Sequence, residues 1–413
     1  MAEAFIIDAC RTPRGIGKVG RGALAHLHPQ RLGATVLEAL AKRNDINTAE
    51  IDDIIWGTSS QRGTQGGDLG RMAALDAGYD VKASGVTLDR FCGSGITTVN
   101  LAAAQILSGM EDLVIAGGTE MMSQMAATAD PNTPPMIDSG NLSLRAKHPQ
   151  SQQGVCADAI ATIEGIDRNA VDSLALVSQQ RAARAIEEHR FDRSLVPVLD
   201  EDGSVALDHE EFPRPETTME ILSSLKPVFS AWADIPVDEQ GTTYGALIRQ
   251  KYPDLGDFDH VHHAGNSSGV VDGAAAILLA SESYAKKAGW TPRARIVATA
   301  NMGDCPTLML NAPVPAARKV LAKAGLTVDD IDLWEINEAF AVVAEKFIRD
   351  LELDRETVNV NGGAMALGHP IGATGSILIG TMVDELERTG KMRGLVTMCA
   401  AGGMAPAIIV ERV

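Results

Sequence analysis

No stretch of this chain stays apolar for anything near the roughly 20 residues that a membrane-crossing helix needs. Its first residues show no basic segment leading into an apolar one; Met1 to Arg14 reads instead as a strand running into a Thr-Pro turn. The closing Ile409-Val410-Glu411-Arg412-Val413 carries no peroxisomal or retention tripeptide, so the expectation is a cytoplasmic protein with no membrane partner. The five cysteines, at 10, 92, 156, 305 and 399, are odd in number, widely spaced and without a C-x-x-C pair. That argues against a disulfide framework and a structural zinc site, and fits a reducing compartment. Basic residues are short as well: 36 Lys and Arg face 54 Asp and Glu, and a formal charge of -18 opposes nucleic acid as a partner. A phosphate-bearing small ligand stays open, because a few local cations suffice for one.

What is present is a long, balanced chain. At 413 residues it exceeds one ordinary core and implies two or three packed units, and 45% hydrophobic with 22% charged residues describes a globular protein. Ala4-Phe5-Ile6-Ile7-Asp8 reads as a strand, Leu32 to Lys42 as an amphipathic helix, Ile51 to Gly57 as a strand ended by glycine, and Asp112 to Gly118 as a buried strand closing in a Gly-rich turn. This alternation implies a layered α/β fold with a parallel sheet. An internal repeat supports it. Leu40-Ala41-Lys42 followed by Ala49-Glu50-Ile51-Asp52 is answered by Leu321-Ala322-Lys323 followed by Asp329-Asp330-Ile331-Asp332. In the same order, Leu113-Val114 is answered by Leu395-Val396, and Gly95 at a helix start by Gly375. Two similar halves follow, with functional turns meeting where they join. Between them, Met121 to about Phe258 carries Pro131, Pro134 and Pro135, a helix from Asn169 to about His189 and the polar run Glu210 to Thr218. That texture suits a loop domain inserted in the first half and covering its site.

The chemistry centres on Arg90-Phe91-Cys92-Gly93-Ser94-Gly95, set between Val86-Thr87-Leu88 and the alanine-rich stretch Ile96 to Leu107. If the first is a buried strand and the second a helix, Cys92 occupies a nucleophile elbow. Unpaired N–H groups at the helix start would favour its thiolate, and Gly93 and Gly95 would open the approach of substrate to the sulfur. A small buried hydrophobe is the other reading of the same cysteine. Asn337-Glu338-Ala339-Phe340-Ala341 puts an amide and a carboxylate at a strand end, where α/β sites are built, though in isolation a helix N-cap with a first-turn acid is the better reading of the same residues. Gly362 to Gly375 holds five glycines and His369-Pro370; it fits no nucleotide-binding pattern, and an imidazole fixed for proton transfer explains it better. Cys399-Ala400-Ala401-Gly402-Gly403 puts a second cysteine on a Gly-rich turn. His260, His262 and His263 with Asp257 or Asp259 could be drawn as a metal site, but no further ligand motif accompanies them and a polar strand end is the reading adopted.

Taken in order, these stretches resemble the thiolase family over essentially the whole chain. The matching runs are Asp8 to Pro13, Cys92 to Gly95, Gly117 to Ser123, Ala264 to Gly269 with Asp272-Gly273-Ala274, Asn337 to Ala341, Asn361 to Gly375 and Cys399 to Gly403. The resemblance implies a layered α/β/α/β/α architecture of two similar halves, residues 1–124 with 259–286 and 287–413, plus a CoA-binding loop domain at 125–258. It implies that Cys92 carries the acyl group as a thioester and that His369 activates it. Cys399 would be the general acid/base. His369 with a water held by Asn337 would form one oxyanion hole, and the backbone N–H groups of Cys92 and Ala401 the other. For CoA it points to Arg214, Ser268, Ala264, Met309, Phe340 and Gln152. No permanently bound cofactor and no metal are implied; CoA thioesters are substrates, and the assembly would be a homodimer or homotetramer.

Departures from the family pattern cluster away from the chemistry. Gln152-Gln153-Gly154 stands where simple biosynthetic members have His-Met-Gly, Met309-Leu310-Asn311-Ala312-Pro313 replaces Met-Gly-Thr-Gly-Pro, Ala401 replaces a glycine, and Ser230 to His263 is longer. Thiolytic cleavage of 3-oxoacyl-CoA is therefore expected, with acetoacetyl-CoA synthesis as the alternative. A decarboxylating condensing enzyme would have histidine or asparagine partners where Cys399 stands, and a non-catalytic scaffold or lipid carrier would have lost one of Cys92, Asn337, His369 or Cys399.

Overall fold

The computed structural model describes residues 3–128 and 135–413; Pro131 and Pro134 lie outside them. The first half runs β1 (Ala4–Arg11), α1 (Pro29–Arg43), β2 (Asp53–Gly57), β3 (Val86–Leu88), α2 (Ser94–Ser108), β4 (Leu113–Met121) and, after helices α3 (Gln153–Glu164) and α4 (Arg168–Glu187), β5 (Val271–Ser281). The second runs β6 (Ala294–Gly303), α5 (Pro313–Ala324), β7 (Leu333–Ile336), α6 (Ala341–Asp350), α7 (Ile371–Thr389), β8 (Arg393–Thr397) and β9 (Met404–Arg412). The repeat read in the sequence appears as geometry. α1 and α5 both begin with proline at the first turn, where its missing N–H costs nothing. Each is followed by a short 3₁₀ turn, Thr48–Glu50 and Val328–Asp330.

Strand order across the sheet is β7-β8-β9-β6-β1-β5-β4-β2-β3. Read outward from the centre, β1-β5-β4-β2 mirrors β6-β9-β8-β7, with the same sequence of antiparallel, antiparallel and parallel pairings. The sheet is mixed rather than parallel as the sequence implied. The cause is β5 and β9, each inserted antiparallel between its half's first strand and the βαβ pair. The halves join along a short antiparallel edge, Phe5 opposite Arg295 and Ile6 opposite Ala294.

Five layers result. α1 covers one outer face with Leu32, Val36 and Leu37 against Trp56 and Leu278. α5 and α6 cover the other with Val320 and Phe347 against Trp334 and Ile409. Between the half-sheets lie α2 and α7, whose Ile96, Val99, Ile379 and Met382 meet Val114 of one sheet and Ile408 of the other. A helix buried all round can afford no large side chain at its crossing point. A Cβ on Gly95 would lie 2.8 Å from the Gly375 nitrogen, and one on Gly375 only 2.1 Å from that of Ile96. The sequence reading gave Gly93 and Gly95 to substrate access, but they serve packing. Gly95 seats α7, and a Cβ on Gly93 would meet the Pro406 ring at 2.8 Å.

Gly375→Ala should lower the unfolding free energy by roughly 3 kcal/mol, the upper end for an overpacked core, because the obstructing atoms are backbone. Gly256→Ala, with nothing within 4 Å of the added methyl, should be close to neutral. Equal urea midpoints for the two variants would refute this account of the crossing.

Candidate active site

The two central helices begin at the same place, and each brings one reactive residue. Cys92 precedes Gly93, the N-cap of α2; His369 precedes Pro370, the N-cap of α7. Phe91 takes a left-handed backbone at φ 48, the strained turn expected of an elbow. The strand before it is not buried, however. β3 is the outermost strand of the sheet and Val86 is 45% exposed, so the elbow stands at a sheet edge.

The start of α7 is pinned by backbone contact and by one buried acid. A Cβ on Gly372 would lie 2.5 Å from the Gly57 carbonyl oxygen, and one on Gly118 only 2.0 Å from that of Gly372. Glu120 Oε2 accepts from the Gly372 and Ser59 N–H groups, both at 2.8 Å, while its Oε1 accepts from Thr58 and Gln65. Glu120 thus ties the two halves together beneath the site. The sequence reading quoted this residue in a matching run but gave it no role. Its signal was an acid closing a Gly-rich strand end, where burial demands several donors.

His369 is held at three points. Its N–H donates to the Gly269 carbonyl at 2.9 Å, its Nδ1 lies 2.6 Å from Thr374 Oγ1, and its Nε2 lies 3.4 Å from Asn337 Nδ2. Asn337 is 1% exposed, and among the described residues its Oδ1 has no hydrogen-bond partner. Neither Asn337 nor Glu338 caps α6; the N-cap there is Phe340, and Glu338 accepts from Ser178, Asn359 and the Met365 N–H. Cys399 ends β8. Its turn closes through Ala400 and Met404, bonded in both directions at 2.7 and 3.1 Å, and among the described residues the Ala401 N–H has no backbone acceptor. A Cβ on Gly93 would also lie 3.4 Å from that of Ala400, which sets the two cysteine turns against each other.

Electrostatics here is governed by burial. Desolvation, reinforced by Glu120, pushes the Cys92 thiol up to about 12, and Cys399 rises by desolvation and by the neighbouring Cys92. Desolvation lowers His369 to about 4. The expectation that the helix start would hold Cys92 as a thiolate therefore fails: loss of water outweighs the N–H groups of α2. The resting triad is a thiol, a neutral imidazole and a second thiol. Such a set can pass a proton from sulfur to imidazole only when a reacting carbonyl stabilises the products.

Of the residues expected to meet CoA, two are joined to this site. Ser267 pairs with Phe340 in an antiparallel bridge, and the Ser268 N–H donates to Ala339 at 2.9 Å. Phe340 meets Phe229 edge to face at 5.7 Å, and Phe229 packs so closely on Gly154 that a Cβ there would be 2.1 Å from its ring. Gln152 caps α3 by accepting from Gly154 and Val155, and Gln153 hydrogen-bonds towards the Cys92 sulfur. Met309 is buried with a left-handed backbone. Arg214 and Ala264 are exposed, and Arg214 is fixed by its N–H to Gln179 Oε1 at 2.9 Å with its guanidinium over Phe212. Phe229 and Gln153 were not singled out as contacts; the first lacks any motif and the second was noted only as a departure.

The histidine cluster has another task. Residues 260–263 form no strand; Asp158 accepts from His260 and His262 at 2.7 Å, and Asp172 lies 2.8 Å from His263. Asp257 faces Arg249 instead, and among the described residues no group of three or more His, Cys, Asp or Glu is placed to hold a metal ion.

The lowered His369 has a sign that can be checked. Between 6.5, its ordinary value, and about 4 the unfolded chain binds the extra proton, so stability is lost as pH falls through that window. The raised Cys92 works at the other end, its contribution present below 9.0 and lost as pH climbs towards about 12. His369→Asn should flatten the acid limb of urea stability between pH 6.5 and 4 relative to wild type; parallel curves would refute a neutral buried imidazole.

Comparison with known proteins bears on the chain as a whole. The family models for the thiolase N-terminal and C-terminal domains match residues 4–235 and 290–412. The chain is 38% identical to the steroid 3-ketoacyl-CoA thiolase FadA6 of Mycobacterium tuberculosis, covering 100% of this chain and 95% of that one. It is 41% identical to the 3-oxoadipyl-CoA/3-oxo-5,6-dehydrosuberyl-CoA thiolase of Escherichia coli, covering 100% of both. Human mitochondrial 3-ketoacyl-CoA thiolase, solved in complex with CoA, superposes with a TM-score of 0.83 at 33% identity, over 100% of this chain and 99% of that one. With two matching halves, the five-layer fold and full-length relatives, the chain belongs to the thiolase family of acyltransferases.

Proposed function

We propose that this thiolase works by ping-pong acyl transfer through Cys92, in the direction of 3-oxoacyl-CoA cleavage by CoA. The observation that carries the reading is the meeting of Cys92, His369, Cys399 and Asn337 at the shared start of α2 and α7. In the first half-reaction the Cys92 thiol gives its proton to His369 Nε2 as sulfur attacks the 3-oxo carbon. The carbon–carbon bond then breaks, and Cys399 protonates the departing acetyl-CoA carbanion. In the second, Cys399 takes the proton of incoming CoA, whose sulfur displaces the acyl group from Cys92, and His369 returns its proton to the released Cys92 sulfur. Both cysteines end as thiols, Cys399 carrying the proton that CoA brought. Oxyanion charge is met by His369 with a water on Asn337 and by the N–H groups of Cys92 and Ala401, acting in a dry site where such donors count most. Acetoacetyl-CoA synthesis is the same chemistry reversed.

Residues 125–258 form, on this reading, a loop domain over a core of 1–124 with 259–286 and 287–413. Phe340, Ser268, Met309 and Gln152 line the pantetheine and acyl path, with Ala264 at its mouth and Arg214 at the adenosine end. Phe229, pressed between Gly154 and Phe340, narrows that path, and the long segment after it sets acyl length. A role in fatty acid metabolism, a cytoplasmic location and a homodimer or homotetramer complete the proposal.

Mass spectrometry after acetyl-CoA should show one acetyl group on wild type and none on Cys92→Ser; an acetylated variant or an unlabelled wild type would sink the assignment. Asn337→Ala should lower kcat about 10²–10³-fold, as expected for one lost oxyanion donor. Thiolysis rates across a ladder of 3-oxoacyl-CoA lengths would then fix the substrate.

A further inference from the structure

One buried acid has no place in that mechanism. Glu335 lies in β7, two residues before Asn337, and is 3% exposed. Its acidic neighbours are all engaged: Glu338 accepts from Ser178 and Asn359, Glu385 from Asn361 and Arg388. Among the described residues the Glu335 carboxyl has neither a hydrogen bond nor an ion pair. It borders a small cavity of about 10 Å³, whose walls also include Asn337, Thr374 and Arg14. Such a volume is at the size of one water, which settles where two to four polar groups converge.

Two of these walls touch the imidazole. Thr374 Oγ1 is 2.6 Å from His369 Nδ1 and donates its own proton to the Pro370 carbonyl at 2.9 Å. Asn337 Nδ2 faces Nε2, and its Oδ1 is a buried acceptor lacking a donor. Four charged groups act on Glu335: Glu338 and Glu385 repel, Arg14 and Arg181 attract, and burial outweighs them all in holding the carboxyl protonated. Neither arginine is free to pair with it. Arg14 is taken by Glu210, and Arg181 by the Val358 and Arg355 carbonyls.

We propose that Glu335 is a positioning residue for His369: as a neutral carboxylic acid it donates to one water in this cavity, and that water donates to Asn337 Oδ1 and Thr374 Oγ1. Every group then has its partner. Thr374, donating to Pro370 and accepting from the water, can only accept from His369, so Nδ1 carries the proton and Nε2 is the free base. Ionised Glu335 would claim one of the water's two protons and release either Asn337 or Thr374. The inference rests on the reading of His369 as the base that activates Cys92.

The test is the rate and pH dependence of Cys92 acetylation by acetyl-CoA in wild type, Glu335→Gln and Glu335→Leu. Glutamine can donate as the neutral acid does and should stay within about threefold of wild type; leucine cannot, and should slow acetylation about tenfold with KM little changed. Wild type, but not Glu335→Gln, should lose rate as rising pH ionises Glu335. An infrared difference spectrum on acetylation should show a protonated carboxyl stretch in wild type that Glu335→Gln removes, a readout that needs no leucine variant to fold. Wild-type rates in Glu335→Leu, or no protonated carboxyl in the spectrum, would overturn the proposal. A wild type that is never acetylated would overturn the Cys92 and His369 reading instead, while the spectrum would still report the Glu335 proton.

Discussion

Everything in this molecule hangs on the contact of two backbones. α2 and α7 cross at Gly95 and Gly375, where neither helix has room for a methyl group. Because the half-sheets pack on opposite sides of that helix pair, the closeness of the crossing fixes their separation. It also fixes the distance between the helix starts, and so between a cysteine supplied by one half and a histidine supplied by the other. Glycines at 57, 118 and 372 extend the same close approach to the sheet, with Glu120 as the hydrogen-bonding clasp. Two halves of like topology thus make a site that neither holds alone.

The chemistry that this packing allows is a chemistry without standing charge. Thiol, imidazole and thiol are all neutral at rest, since burial costs a thiolate or an imidazolium more than a helix start returns. On the proposed mechanism charge arises only along the reaction path, where the proposed oxyanion donors would meet it. A permanently ionised cysteine would react with any electrophile that entered. A thiol that must hand its proton to a fixed imidazole reacts only with a carbonyl seated well enough to accept the electrons.

Much of this was legible in the chain. The offset between Leu40-Ala41-Lys42 and Leu321-Ala322-Lys323 gave the two halves, and the order of short motifs gave the chemistry. What was not legible is what depends on contacts between distant segments. Nothing near Val86 marks it as a sheet edge, and the antiparallel insertion of Val271–Ser281 depends on a partner more than 260 residues upstream in β1. Gly93 and Gly95 read locally as an open approach because the occupants of that space, Pro406 and Gly375, are far away in sequence. The same holds for Glu120 and Glu335, ordinary strand acids until the fold removes their water.

The short edge where β1 meets β6 also has a bearing on how the chain is made. β1 is made long before both strands that flank it, at 271–281 and 294–303. Until then only Arg11 of its ladder has a native backbone partner, in Ser194 and Val196, and a strand left unpaired in this way is a template for pairing with another chain. Such sequence-distant pairing also makes folding slow. The arrangement that ties the halves into one sheet therefore leaves the nascent chain dependent, until residues 271–303 are made, on whatever shields β1.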